Sequence, residues 1–455
     1  MKAELGAIAG VLEKGTGTFS TEKGACPLFV TGWSIDSRTV GPGDLFFALR
    51  GPNHDGHCYV GTAFAKGAVA AVVEHATGAG GPEFVVPDAQ AALERLAVWA
   101  RGRWTGAMVA ITGSAGKTTT KEAVAGLLGV VMKVGKTQGN LNNHLGVPLS
   151  LLRLPDDAGA AVIEIGMNHP GEIRRLAAMA RPTVGVVTNV GFAHAEFFDS
   201  ADGVALAKRE LIESLPAEGV AVLNADDPRV ARFRDVHAGR TITFGIAQPA
   251  DVRAEDVELG ADGVRFRVDG VRFESAFQGR HGVLNLLAGL AVARSFGIAP
   301  AGLTEAVRAL APGKMRGERF VHNGITILND CYNSNPEAAR SMLDVLGTVP
   351  AQRHIAVLGE MLELGRWSEA LHREVGRYAA QSGVDVLVGV HGAARAMTEE
   401  AVRAGLPPSA VHFFEDPAEA GAMLRGLASA GDAVLFKGSR GTRVELALER
   451  FRESS

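Results

Sequence analysis

From Met108 to Asp226 the chain repeats one rhythm: an apolar run, a glycine-bearing or polar turn, then an amphipathic stretch. The runs "MVAIT", "AAVIEIG", "VGVVTNV" and "VAVLNAD" do not alternate with polar residues. Strands of this kind are apolar on both faces, and a parallel sheet with helices on both sides buries both. Helical patterns over 117–129, 171–181 and 200–215 supply the covering layers. The expected class is therefore α/β.

At 455 residues the chain is too long for one ordinary core. Its pattern divides into three domains. Residues 1–104 form a small mixed α/β unit with strands in "DLFFAL", "AVAAVV" and "EFVVPD", and a helix from Ala91 to Trp104. Residues 105–314 hold the parallel sheet. That domain ends with an alternating segment between Asp251 and Phe277, read as antiparallel strands turning at Asp269-Gly270, and a helix over 283–296. Residues 315–455 repeat the strand-helix rhythm in "HIAVLG", "VDVLVGV", "AVHFFED" and "DAVLFKG", a Rossmann-like α/β unit.

A net charge of -4 gives no basic surface for nucleic acid. Cys26, Cys58 and Cys331 are scattered, which fits a reducing cytosol and offers no metal-ligand spacing. Glu4 and Glu13 interrupt the apolar start, and no apolar run reaches membrane-spanning length. A soluble, cytoplasmic monomer is expected.

The first strand of the central unit runs into "TGSAGKTTT", Thr112 to Thr120. The usual phosphate-binding pattern places a glycine five residues before Gly116, where this chain has Ile111. A bare Gly-Lys-Thr is more often an ordinary turn with a solvated lysine. Here a buried strand leads in and a helix leads out, so free backbone N–H groups and the positive helix end would face a phosphate. Lys117 would reach the outer phosphates and the Thr118 hydroxyl would hold Mg²⁺.

Glu164 sits inside the apolar run "AAVIEIG", where a charge is costly unless paired, and is a candidate magnesium ligand. His194 follows another strand of the same sheet and is either a surface residue or a ligand. Lys208 lies on an ordinary amphipathic helix and reads as a solvated lysine.

"TGSAGKTTTKE", "QGNLNNHLGVPLSLL", "EIGMNHPGEI", "NVGFAHAEFF", "ALAKREL", "LNADDP", "NDCYNSNPEAARSML", "MLELGRWSEALHREVG" and "FKGSRG" occur in the order found in the Mur ligases, and the chain resembles that family from about Ser34 onward. The loop is similar to the family's shortened TG[ST]xGKT form, which accounts for Ile111. "LNNHLGVPLSLL", "YNSNP" and "FKGSRG" are most similar to members that add D-Ala-D-Ala; a DNPR-type motif, usual where a diamino acid is added, is replaced by "YNSNPEA".

The resemblance implies an ATP-dependent ligase acting on UDP-N-acetylmuramoyl-tripeptide and D-Ala-D-Ala through an acyl phosphate. It implies ATP contacts from Thr112, Gly113, Ser114, Ala115, Gly116, Lys117, Thr118, Thr119, Asn285, Arg316 and Asp330. The family pattern G-x-H-N-x-x-N is matched here by Gly279, His281 and Asn285, with Gly282 in place of the first asparagine. It further implies two magnesium sites, with Lys208 carbamoylated by CO₂ and joining Glu164 and His194. The amino-terminal domain would bind the UDP-sugar through Ser37, Arg38, Asn53 and His54. Thr137, Asn140, Asn142 and Asn143 would position the sugar-peptide carboxylate. Asn333, Ser334, Asn335, Lys437, Ser439 and Arg440 would present the dipeptide.

Overall fold

The structure, a computed structural model, describes residues 1–13, 18–19, 29–192, 195–260 and 262–453; His194 and Cys26 lie outside the described residues. The central sheet has seven strands, all parallel, in the spatial order Val252–Arg253, Arg240–Gly245, Val220–Asn224, Val184–Val187, Ala107–Thr112, Ala160–Glu164, Val134–Lys136. Every residue of the strands Ala160–Glu164 and Val184–Val187 is buried, the outcome their unbroken apolar sequences require.

The order places the site. Strands 134–136 and 160–164 lie on one side of Ala107–Thr112, and the chain then crosses to build the other side from Val184 onward. Ala107–Thr112 thus stands at the point where the winding reverses, and the crevice at its carboxyl end is where α/β sheets take ligands. The strands 134–136, 240–245 and 252–253, and the helices Leu5–Glu13 and Gly146–Leu152, extend the sequence reading. Val134–Lys136 and Val252–Arg253 are short edge strands, which carry little periodic signal.

Three antiparallel strands, Glu255–Gly260, Gly263–Val268 and Val271–Ser275, follow the parallel sheet. Asp269 and Gly270 turn the second into the third at φ 50° and 77°, a two-residue hairpin of the kind a right-handed twist favours. Val264, Phe266, Val268 and Phe273 pack inward against the helix Gly279–Ser295, longer at its start than the sequence pattern indicated.

The amino-terminal sheet has five strands, parallel except for the edge strand Thr18–Phe19. It is joined to the central unit by Arg153, whose guanidinium donates twice to the Trp33 carbonyl, at 2.9 and 2.7 Å. The carboxy-terminal sheet has six strands, with Glu318–His322 antiparallel at the edge and the rest parallel. No described helix is long and apolar enough to cross a membrane.

Candidate active site

The phosphate loop is a backbone turn held from behind. Gly116 caps the helix Lys117–Leu128 at φ 80°, and an added Cβ there would stand 2.4 Å from Asn285 Oδ1, so both conformation and space require glycine. Ala115 N donates to Asn189 Oδ1 at 2.8 Å, and the Ala115 carbonyl accepts from Thr188 Oγ1 at 2.7 Å. Ser114 Oγ donates to the Gly191 carbonyl at 3.0 Å and accepts from Gly191 N at 2.8 Å. The loop is therefore shaped before any ligand arrives. Thr188 and Asn189 end the run "VGVVTNV", and Asn189 opens "NVGFAHAEFF", but the sequence assigns neither a role; their signal is two polar residues ending an apolar strand beside the loop strand.

Lys117 Nζ folds back onto the Gly113 carbonyl at 2.7 Å. Its pKa is lowered by burial; Glu164 opposes that shift, Arg316 adds to it, and Glu363 opposes it. Thr118 Oγ1 donates to Glu164 Oε2 at 2.8 Å, and Asn142 Nδ2 donates to Glu164 Oε1 at 2.7 Å. Glu164 is 2% exposed and is paired in register with Ile111, the last loop-strand residue but one. Thr137 is buried behind it: its hydroxyl accepts from Glu164 N at 3.0 Å and its carbonyl accepts from Lys121 Nζ at 2.8 Å. Lys121, 1% exposed, ties the helix to this turn and was not anticipated from sequence.

Lys208 corrects the helical-pattern reading. It is 1% exposed rather than solvated, on the inward face of the helix Ala201–Glu213. Burial drives its pKa well below the ordinary lysine value, and the nearby Lys117 cation pushes the same way. Among the described residues no cluster of three His, Cys, Asp or Glu side chains is placed to hold a metal.

The carboxy-terminal domain completes the cavity, about 690 Å³, over the loop. Ser114 to Thr119, Asn140, Asn142, Asn143, Glu164 and Asn285 line it from the central domain; Arg316, Asp330, Asn333 to Asn335, Lys437, Ser439 and Arg440 line it from the other side. Arg316 stacks on Tyr332 with its guanidinium 3.7 Å from the ring centre. Lys437, 2% exposed, pairs with Asp330 on the adjacent strand and donates to the Asn333 carbonyl at 3.0 Å. Asn335 caps the helix Pro336–Thr348 by accepting from Ala338 N, and its Nδ2 lies 3.5 Å from the Ser114 carbonyl. Asn285 Oδ1 accepts from Thr120 Oγ1 at 3.1 Å, bracing the helix it faces. Among the described residues His281 Nδ1 is enclosed without a hydrogen-bond partner, and burial lowers the ring's pKa.

Ser37, Arg38, Asn53 and His54 do not line this cavity; they sit on turns of the amino-terminal domain. Arg38 is exposed and paired with Asp36 at 2.7 Å, while Lys66 Nζ holds the Ser37 and Arg38 carbonyls at 2.9 and 3.0 Å. Asn53 and His54 are exposed, but His57 is buried, accepting from Glu74 N at 2.8 Å through Nε2 and meeting Asp55 at 2.6 Å through Nδ1.

A phosphate loop at a sheet's switch point, roofed by a second α/β domain, defines a multidomain P-loop nucleotide-binding protein. Three family models match in sequence: "Mur ligase family, catalytic domain" over 29–110, "Mur ligase middle domain" over 111–293, and "Mur ligase, glutamate ligase domain" over 315–440. The chain belongs to the Mur ligase family. It is 33% identical over 436 residues to UDP-N-acetylmuramoyl-tripeptide--D-alanyl-D-alanine ligase of Bacillus subtilis, covering 93% of this chain and 94% of that protein. Its fold superposes on MurF from Acinetobacter baumannii with a TM-score of 0.89 at 29% identity, covering 100% of this chain and 99% of that one. MurF ligase from Thermotoga maritima in complex with ADP gives 0.82 at 29% identity, covering 93% and 97%.

Proposed function

We propose that the protein is the ATP-dependent ligase that joins D-alanyl-D-alanine to UDP-N-acetylmuramoyl-tripeptide, releasing ADP and phosphate, and that it acts as a cytoplasmic monomer in peptidoglycan precursor synthesis. The observation that carries the reading is the shared cavity: the phosphate loop of one domain faces the "NSNP" and "KGSR" turns of another. Such a cavity brings a phosphoryl donor and two further substrates together away from water.

In this reading the tripeptide's carboxylate oxygen attacks the γ-phosphorus in line and ADP leaves. The dipeptide amine then attacks the acyl phosphate carbonyl, the C–O bond breaks, and phosphate departs as the amide forms. Lys117 moves from the Gly113 carbonyl to the outer phosphates. The amides of Gly116, Lys117 and Thr118 bind phosphate oxygens, and Asn140, Asn142 and Asn143 orient the sugar-peptide carboxylate. Asp330, Arg316 and Asn285 meet the nucleotide, while Asn333 to Asn335, Lys437, Ser439 and Arg440 present the dipeptide. Ser37, Arg38, Asn53 and His54 take the UDP end, remote from the chemistry.

Magnesium fits the residues present, because the Thr118 hydroxyl and the Glu164 carboxylate stand 2.8 Å apart as hard oxygen donors beside the loop. The ion supplies charge neutralisation at the transferring phosphoryl group. A second set would be Glu164, His194 and Lys208, and an ammonium cannot serve in it. The lowered pKa of Lys208 favours the neutral amine, which adds CO₂ and loses a proton to become a carbamate. The domain boundaries proposed are 104/105 and 314/315.

The test is incubation with MgATP, UDP-MurNAc-tripeptide and D-Ala-D-Ala, with product read by mass and phosphate by colour. Pentapeptide and phosphate in equal amounts are expected. Phosphate release only with UDP-MurNAc-dipeptide and a diamino acid would overturn the assignment.

A further inference from the structure

Gly191 raises a question that its backbone does not answer. It lies in the turn after the strand Val184–Val187, and it is not among the residues with positive φ, so its conformation does not demand glycine. What a side chain there would meet is a residue from another domain. A Cβ on Gly191 would stand 2.6 Å from Glu337 Cδ and 2.8 Å from each carboxylate oxygen.

Glu337 is the second residue of the helix Pro336–Thr348, where the unpaired N–H end of a helix favours a carboxylate. Its Oε1 accepts from Phe192 N at 3.3 Å, and its Oε2 is enclosed with no hydrogen-bond partner among the described residues. Glu337 is half-buried and lines the cavity, so its carboxylate bridges the turn at Gly191 and the cleft. Gly191 in turn exchanges two hydrogen bonds with Ser114 Oγ in the phosphate loop. A continuous path of contacts runs from the carboxy-terminal helix through Glu337 and Gly191 to Ser114.

We propose that Glu337 is a positioning residue that couples docking of the carboxy-terminal domain to the shape of the phosphate loop through Gly191 and Ser114. The inference rests on the cleft being the nucleotide site. With the two domains together, a Cβ on Gly191 must push the Glu337 carboxylate aside and off Phe192 N, which breaks this contact between the domains. Replacing Gly191 therefore acts on closure and leaves the loop's own hydrogen bonds in place.

The experiment is a double-mutant cycle on the full chain with Gly191→Ala, Glu337→Ala and the pair. Small-angle scattering reads domain closure without depending on catalysis, calorimetry reads Mg·ADP binding, and steady-state ligation reads turnover. Gly191→Ala alone is expected to enlarge the radius of gyration and lower kcat about tenfold or more, while the melting temperature shifts by no more than about 2 °C. In the Glu337→Ala background the same change is expected to alter kcat less than about twofold and leave the radius of gyration unchanged. An equal effect in both backgrounds, or none in either, overturns the coupling. Scattering that follows the predicted pattern in a protein that binds no Mg·ADP keeps the coupling and sinks the nucleotide-site reading instead.

Discussion

Thr118 Oγ1 donates to Glu164 Oε2 across 2.8 Å, joining the first turn after the phosphate loop to the end of the neighbouring strand. The same carboxylate takes Asn142 Nδ2 at 2.7 Å, so the amide-rich turn and the phosphate loop meet on one acid. Glu164→Gln keeps an acceptor for Asn142 but turns an N–H group or a weaker acceptor toward Thr118. Turnover should fall by about 10² or more with the fold intact, since one charge beside the transferring phosphoryl group is lost. Steady-state rates across a magnesium titration check this; a rate within threefold of the parent would remove Glu164 from the metal end.

Lys208 gives a prediction that ordinary lysines do not. Lys208→Ala should lose ligation and regain part of it when formate or acetate is added, because a small carboxylate can occupy the space of the carbamate. The parent protein should lose rate in CO₂-free buffer and recover it with bicarbonate. Full activity of Lys208→Ala without any addition would sink the carbamate.

Asp330 and Lys437 face each other on adjacent parallel strands, Lys437 almost fully enclosed. Asp330→Asn should destabilise the protein by about 3 kcal/mol, because it strands a buried cation. Adding Lys437→Met to that variant should restore most of the stability while ligation stays absent. Chemical denaturation separates the two effects; a double variant no more stable than Asp330→Asn would show that the pair is not the source of the loss.

A pH prediction concerns Asp432, which is 1% exposed and meets Arg353 at 2.6 Å. Burial alone would raise its pKa, but the Arg353 guanidinium and the Ser429 N–H hold it below the ordinary 3.8. A depressed folded pKa gives stability that is complete above the unfolded value and is lost as pH falls through the folded value. Asp432→Asn should therefore cost about 2 kcal/mol near pH 7, less than a fully buried pair because Arg353 is partly exposed. The gap should narrow as pH falls below 3.8, the unfolded reference, and close below the lowered folded value. Melting curves from pH 2 to pH 7 test this; a gap independent of pH would mean that packing, not charge, is lost.

The path from sequence to site was uneven, for physical reasons. The apolar strands and the Asp269-Gly270 hairpin were legible because period and turn chemistry are local. Glu164 was legible because a charge in an unbroken apolar run needs a partner. Lys208 was misread by pattern alone: a long side chain on an amphipathic helix looks solvated until the elements around it are known. Thr137 shows the reverse case, a residue assigned to substrate whose hydroxyl and carbonyl are both taken up behind the cavity.

By itself the sequence determined the three α/β units, the shortened phosphate loop, and the family. These depend on spacing along one chain. Tertiary structure alone decided that Lys208 is buried, that Asn189 and Thr188 hold the loop, and that Glu337 from a distant helix closes over Gly191. Each of those is a contact between residues far apart in sequence, and burial and pairing are properties of the packed neighbourhood, which no local pattern encodes.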